Sequence, residues 1–185
     1  MKTLHVAVLT LVLAAGTHAI AAANVSSPLP DAIAQDDGHR QLAEFAGLWT
    51  VRQSLWLDAG KPPQIDPGTA LFTPVLGGRQ LQQDLRVSSR EPFQALGYIG
   101  YDPRTHIYVT IWMDLHLANP LLMRGRYDVA DRTYRFSGET TFDDGQTVPT
   151  REEFHRIDAD HFIVRYFETR GGREALVVEL AYSRR

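Results

Sequence analysis

Ile107-Tyr108-Val109-Thr110-Ile111-Trp112-Met113-Asp114 decides the fold class. Ile107, Val109, Ile111 and Met113 fall on one face of an extended chain. Tyr108, Thr110, Trp112 and Asp114 fall on the other. A two-residue period of this kind is the mark of a β-strand, because successive side chains point to opposite sides of the pleat. The same period recurs outward in both directions. Leu81, Leu85 and Val87 alternate with Gln82, Asp84 and Arg86, and Leu176, Val178, Leu180 and Tyr182 alternate with Val177, Glu179, Ala181 and Ser183. Turn-forming groups separate the runs: Pro67-Gly68, Gly77-Gly78, Asp102-Pro103-Arg104, Asn119-Pro120, Asp143-Asp144-Gly145 and Gly171-Gly172.

The pattern predicts about ten strands, near 48–57, 69–75, 79–88, 94–101, 106–115, 121–129, 132–139, 149–157, 161–169 and 174–184. So many sequential strands in one small domain leave costly open edges unless the sheet closes or doubles. The expected fold is therefore all-β, a closed antiparallel up-and-down barrel of about ten strands. Both faces of 106–115 carry large side chains, which suits a barrel whose interior holds aromatic and polar groups. One short helix is expected from Asp37 to Ala46, with Asp37 as its cap, Leu42, Phe45 and Ala46 on one face, and Gly47 ending it.

Residues 1–23 resemble a secretory signal peptide: Lys2, an apolar run from Leu4 to Ala15, then Ala19-Ile20-Ala21 and Ala21-Ala22-Ala23 as cleavage patterns. Export to the periplasm or cell exterior is expected, with no membrane span after cleavage. Residues 24–36 read as a flexible lead-in, and 37–185 as one barrel domain. The chain has no cysteine, which excludes thiol catalysis, a lipobox, Fe–S clusters and cysteine zinc sites. Its 22 acidic residues outnumber 19 basic ones, which argues against a nucleic-acid partner.

Gly47-Leu48-Trp49 follows the helix and opens the first strand, a G-x-W arrangement similar to the start of calycin-type barrels. Further features occur in order: Leu42…Phe45-Ala46-Gly47-Leu48-Trp49, Leu76-Gly77-Gly78-Arg79, Pro92-Phe93, Gly97-Tyr98-Ile99-Gly100-Tyr101-Asp102, Trp112-Met113-Asp114 and Glu179…Tyr182-Ser183-Arg184. Over residues 39–185 the chain resembles the DUF1579 family, small bacterial domains of unknown function. The resemblance implies a lipocalin-like barrel in which Trp49 plugs the closed end and Arg184 or Arg185 packs over it. It implies no established reaction.

Candidate ligand-binding residues are Arg79, Trp112, Asp114, His116 and Glu179. Arg79 suits an anionic head group, although a barrel-rim ion pair is the plainer reading. Trp112 and Asp114 share a face, and an inward Asp114 would need a partner. Asp114 and Glu179 form a pair only if barrel closure brings them together; separate acids bonded to arginine or backbone are the simpler arrangement. Of the histidines after the leader (His39, His106, His116, His155, His161), none forms a metal-binding pattern. No cofactor is expected, haem on His116 or His155 being the alternative. No nucleophile elbow, P-loop or dinucleotide fingerprint occurs. The expected function is to hold a small hydrophobic or amphipathic molecule in the barrel. The alternatives are a filled interaction barrel, or an enzyme using Asp114, His116, Glu179 and Tyr101 for acid–base work.

Overall fold

The computed structural model describes residues 35–58, 60–117, 119–142 and 144–185. The expected leader, and the lead-in up to residue 34, lie outside the described residues. Ten strands follow the short helix α1 (Asp37–Ala43): β1 (Gly47–Leu55), β2 (Gln64–Val75), β3 (Gln80–Val87), β4 (Phe93–Asp102), β5 (Ile107–Asp114), β6 (Leu121–Asp128), β7 (Thr133–Thr141), β8 (Thr147–Arg156), β9 (His161–Arg170) and β10 (Arg173–Arg184). Each strand pairs antiparallel with the next, and β1 pairs with β10, so the sheet closes. Closure removes both edges and leaves no unpaired ladder to template association.

The helix cap lies one residue earlier than the composition suggested. Asp36, not Asp37, is the cap: its side chain accepts from the Gly38 amide, and His39 completes a capping box. Residues beyond Ala43 form only tight turns before Gly47, whose φ of 129° starts the first strand.

β2 starts at Gln64, well before the expected residue 69. Pro67-Gly68 reads as a turn but lies inside the strand. The β2–β3 ladder begins at Gly68 opposite Val87, so the missing amide of Pro67 points past the end of its neighbour. The Pro67 carbonyl on that side accepts from Ser88. Proline is tolerated in a strand where no ladder bond is owed.

Alternation sorts side chains between inside and outside. On β5 the aromatic and polar row, Tyr108, Thr110 and Trp112, points inward. The aliphatic row faces outward, with Ile111 38% exposed. One end of the barrel is filled by rings: Phe45, Trp49, Phe72, Tyr134, Phe154, Phe162 and Tyr182 are all buried. Phe162 lies at its centre, stacked 4.1 Å from Tyr182 and 4.7 Å from Phe154, with Trp49 edge-on at 4.7 Å. Such offset and edge contacts add to the area buried. Helix α1 closes this end, its Gln41 accepting from the Tyr108 hydroxyl at 3.0 Å.

Trp49 donates its indole N–H to the Phe45 carbonyl at 2.9 Å. The Arg184 guanidinium lies 4.2 Å from the centre of the Trp49 ring. Arg184 also donates to the carbonyls of Ala46 and Glu44. One arginine thus joins the first strand, the last strand and the chain leaving the helix.

Candidate functional site

The other end of the barrel is hollow. A cavity of about 600 Å³ opens there, within the size range of small-molecule sites. Its rim comes from Leu57 after β1, from Ser89, Arg90 and Glu91 between β3 and β4, and from His116 and Leu117 after β5. Its walls are mostly apolar: Leu85, Phe93, Trp112, Leu121, Phe142, Val178 and Leu180. Two consecutive β10 residues, Val177 and Val178, both line it. A bulge causes this, since the register with β9 shifts between Leu176 and Val178.

Polar groups are placed among these apolar walls. Gln53 and Asp66 face inward from β1 and β2, 8% and 9% exposed. Thr140 and Thr150 bond to each other at 2.7 Å across β7 and β8. Asp114 accepts from the Trp112 indole at 2.8 Å and from the His116 amide at 2.7 Å, fixing the indole against the wall. The His116 ring stacks on Phe93 with centroids 5.8 Å apart.

Beneath the cavity, one inward step below Thr150, lies Glu152, 5% exposed. Its register partner on β9 is Tyr166, which lines the cavity. Burial pushes the Glu152 carboxyl up to about 7, and interaction with the Tyr166 hydroxyl pulls it back only in part. Burial and then the nearby Glu152 charge hold the Tyr166 hydroxyl well above its ordinary range. Tyr182, also raised by burial, accepts from Gln83 at 2.9 Å. No arginine or lysine is paired with Glu152 among the described residues. A buried acid without a cationic partner costs stability, and such groups cluster at functional sites.

The structure brings Trp112, Asp114 and His116 to the cavity. Arg79 and Glu179 lie elsewhere. Arg79 caps the short 3-10 turn Leu76–Gly78 at the opposite end of the barrel from the opening. Glu179 points outward from β10, because the neighbouring Leu180 and Tyr182 of alternate parity face in. It pairs at 2.8 Å with Arg165, its cross-strand partner. The barrel wall therefore separates Glu179 from Asp114, and no acid pair forms. Glu179→Ala is expected to lower stability by less than about 1 kcal/mol, as for other partly exposed ion pairs. A urea melt measures this, and a larger loss would show that the pair holds the β9–β10 register.

His155 faces outward, its Nδ1 hydrogen-bonded to the Thr133 hydroxyl at 2.9 Å. His39 serves the helix cap and His161 pairs with Asp158. Tyr101 lies at the closed end, bonded to His106 at 2.7 Å. Among the described residues no three His, Asp or Glu groups converge as metal ligands. No described helix is long and apolar enough to cross a membrane.

Sequence reading missed Glu152, Tyr166, Gln53 and Asp66. A signal for two of them was present. Glu152 shares its parity with Val148 and Phe154, and Tyr166 with Phe162 and Val164, which marks both as inward.

A ten-stranded barrel closed by a helix and an Arg–Trp pair at one end, and hollow at the other, defines the class as a closed antiparallel up-and-down β-barrel. Within it, the chain belongs to DUF1579, a family described as proteins of unknown function, whose model matches residues 35–184. Among solved structures it is similar to Rv2717c from M. tuberculosis, at 15% identity and a TM-score of 0.62. That match covers 82% of this chain and 99% of the other. It also matches a redesigned beta barrel at 11% identity and a TM-score of 0.41, over 79% of this chain and 96% of the other. The first of these likenesses shows the fold alone. No curated protein matches the chain.

Proposed function

We propose that this protein binds a small, largely apolar or amphipathic molecule in the open half of its barrel, after export from the cytoplasm. The carrying observation is the cavity itself. A filled barrel would continue the aromatic packing of the closed end through to the other mouth. Instead about 600 Å³ is left between Leu85, Trp112, Leu121 and Leu180, walled by apolar groups with a few fixed polar ones. Apolar walls give binding energy through area removed from water, and fixed polar groups give orientation. Export rests on residues 1–23, with mature protein beginning at Asn24. Neither haem nor a metal is expected as a resident cofactor. His116 reaches the cavity only at its rim, packed on Phe93.

Native mass spectrometry on protein purified gently from the cells that make it tests the reading. The expected spectrum shows mature chain carrying a reproducible small-molecule adduct that is lost on denaturation. Leu121→Trp, which puts an indole into the cavity, is expected to remove the adduct or weaken binding at least tenfold. Only bare chain in the wild type, or an adduct retained by the filled variant, would contradict an interior site. An adduct of haem mass would overturn the expected absence of cofactor.

A further inference from the structure

The charge inside the cavity points to the class of molecule held there, an inference that rests on the binding role just proposed. Three acids line the interior: Asp66, Asp114 and Glu168. Glu152 stands beneath them. The one arginine in the lining, Arg90, sits on the rim beside Glu91, which offsets it. Glu168 is engaged by Arg170, whose own side chain is half exposed outside the mouth. Nothing cationic from the chain faces Asp66, Asp114 or Glu152 within the barrel among the described residues.

A second observation also points to a polar contact made inside the barrel. Gln53 lines the cavity at 8% exposed, and its amide makes no hydrogen bond among the described residues. Its amide opens onto the cavity, where it is free to hydrogen-bond a polar group of a ligand. Aromatic walls complete the set. Trp112 and Tyr166 lie with ring centres 6.0 Å apart, and indole faces attract cations as well as apolar bodies.

We propose that the cavity takes an amphipathic cation, an aromatic or aliphatic amine whose body packs on Trp112 and whose ammonium group turns toward Glu152 at the cavity floor, while Asp66 and Asp114, on separate walls of the barrel, add to the negative potential around it. An anionic amphiphile would meet the same acids in a low-dielectric pocket and be repelled. The raised Glu152 carboxyl fits this reading. Without a ligand it is partly protonated near neutrality, and an arriving ammonium group ionises it, so binding releases a proton. The other groups facing Glu152 are Tyr166 on β9 and Tyr182 on β10, both held neutral; β7 presents Phe136.

The test is calorimetry at pH 7 on the intact protein with three probes sharing one body: 2-(2-naphthyl)ethylamine, 2-(2-naphthyl)ethanol and 2-naphthylacetate. The amine is expected to bind at least tenfold more tightly than the carboxylate, with the alcohol between them. Titrations in two buffers of different ionisation enthalpy are expected to show proton release with the amine alone. Glu152→Gln should cut amine affinity about tenfold, abolish the proton release and leave the alcohol unchanged. Unchanged alcohol binding shows that the variant is folded; if it is not, Asp114→Asn and Asp66→Asn carry the same comparison. Carboxylate affinity equal to or above that of the amine would overturn the cationic class while leaving the cavity in use. Failure of all three probes would overturn both this inference and the binding role.

Discussion

Replacing Trp49 by alanine is expected to cost about 3–5 kcal/mol, the range for truncating a large buried aromatic. Trp49 is 1% exposed, donates to the Phe45 carbonyl and meets Phe162 edge-on. Its loss opens a hole where β1, β10 and the helix exit meet. Of the packed rings around it, Phe72 and Phe162 are fixed on paired strands and Phe45 is wedged among Phe154, Phe162 and Tyr134, so they have little freedom to collapse inward. Arg184 also loses the ring under its guanidinium. For a domain of this size the midpoint of thermal unfolding should fall by roughly 10 °C. A double-mutant cycle with Arg184→Ala should give a coupling of about 1 kcal/mol. A fall in stability below about 1 kcal/mol for Trp49→Ala would mean that this end of the barrel does not depend on its plug.

Glu152→Gln is expected to stabilise the folded protein at pH 8 by about 2–3 kcal/mol and to do almost nothing at pH 4. The sign follows from linkage. The carboxyl is raised from 4.5 to about 7 on folding, so the folded chain holds this proton more tightly than the unfolded chain. Its contribution is fully favourable below about 4.5, declines as pH rises toward 7, and is lost above. Every tenfold gain in proton affinity on folding is worth about 1.4 kcal/mol, and some relaxation around the ionised carboxylate lowers the total. Glutamine keeps the shape and never ionises, so it escapes the penalty. Denaturant melts of both proteins across pH 4–8 would measure it. A stability difference that stays flat with pH would show that Glu152 finds a charge partner in the folded state. The protein would then retain at Glu152 a residue that weakens it at neutral pH if the predicted dependence is found, as expected of a functional group rather than a packing one.

Much of the barrel was readable because strand alternation is a local signal. The runs around Leu81–Val87, Ile107–Asp114 and Leu176–Tyr182 each marked a strand within a few residues of its true bounds. β2 was clipped at its start because Pro67-Gly68 is turn chemistry by composition. Only the length of the neighbouring strand, a long-range fact, makes proline acceptable there. On β5 both faces are bulky, so the pattern alone left the choice of inward face open. The structure places the aromatic row inside, with Tyr108 and Thr110 buried and Ile111 of the other row exposed.

The site was less legible than the fold. Trp112, Asp114 and His116 reach the cavity because they share one parity near the end of β5, which the sequence displays. Glu179 shows the limit of reading by motif. Its position between Val178 and Leu180 already puts it on the opposite face from the core, and Arg165 satisfies it outside. Arg79 needed the topology to show that it lies at the closed end. That Val177 joins the lining depends on a bulge, which no local pattern in Ala175-Leu176-Val177-Val178 announces.

The central claim is that ligands enter the barrel rather than settle on its outer aliphatic face. Methyl-resolved NMR during titration with 2-(2-naphthyl)ethanol tests it most directly. The account predicts shifts at Leu85, Leu121, Val178 and Leu180, with Val109, Ile111 and Leu122 unmoved. Shifts confined to Val109, Ile111 and Leu122, with the interior methyls silent, would contradict it.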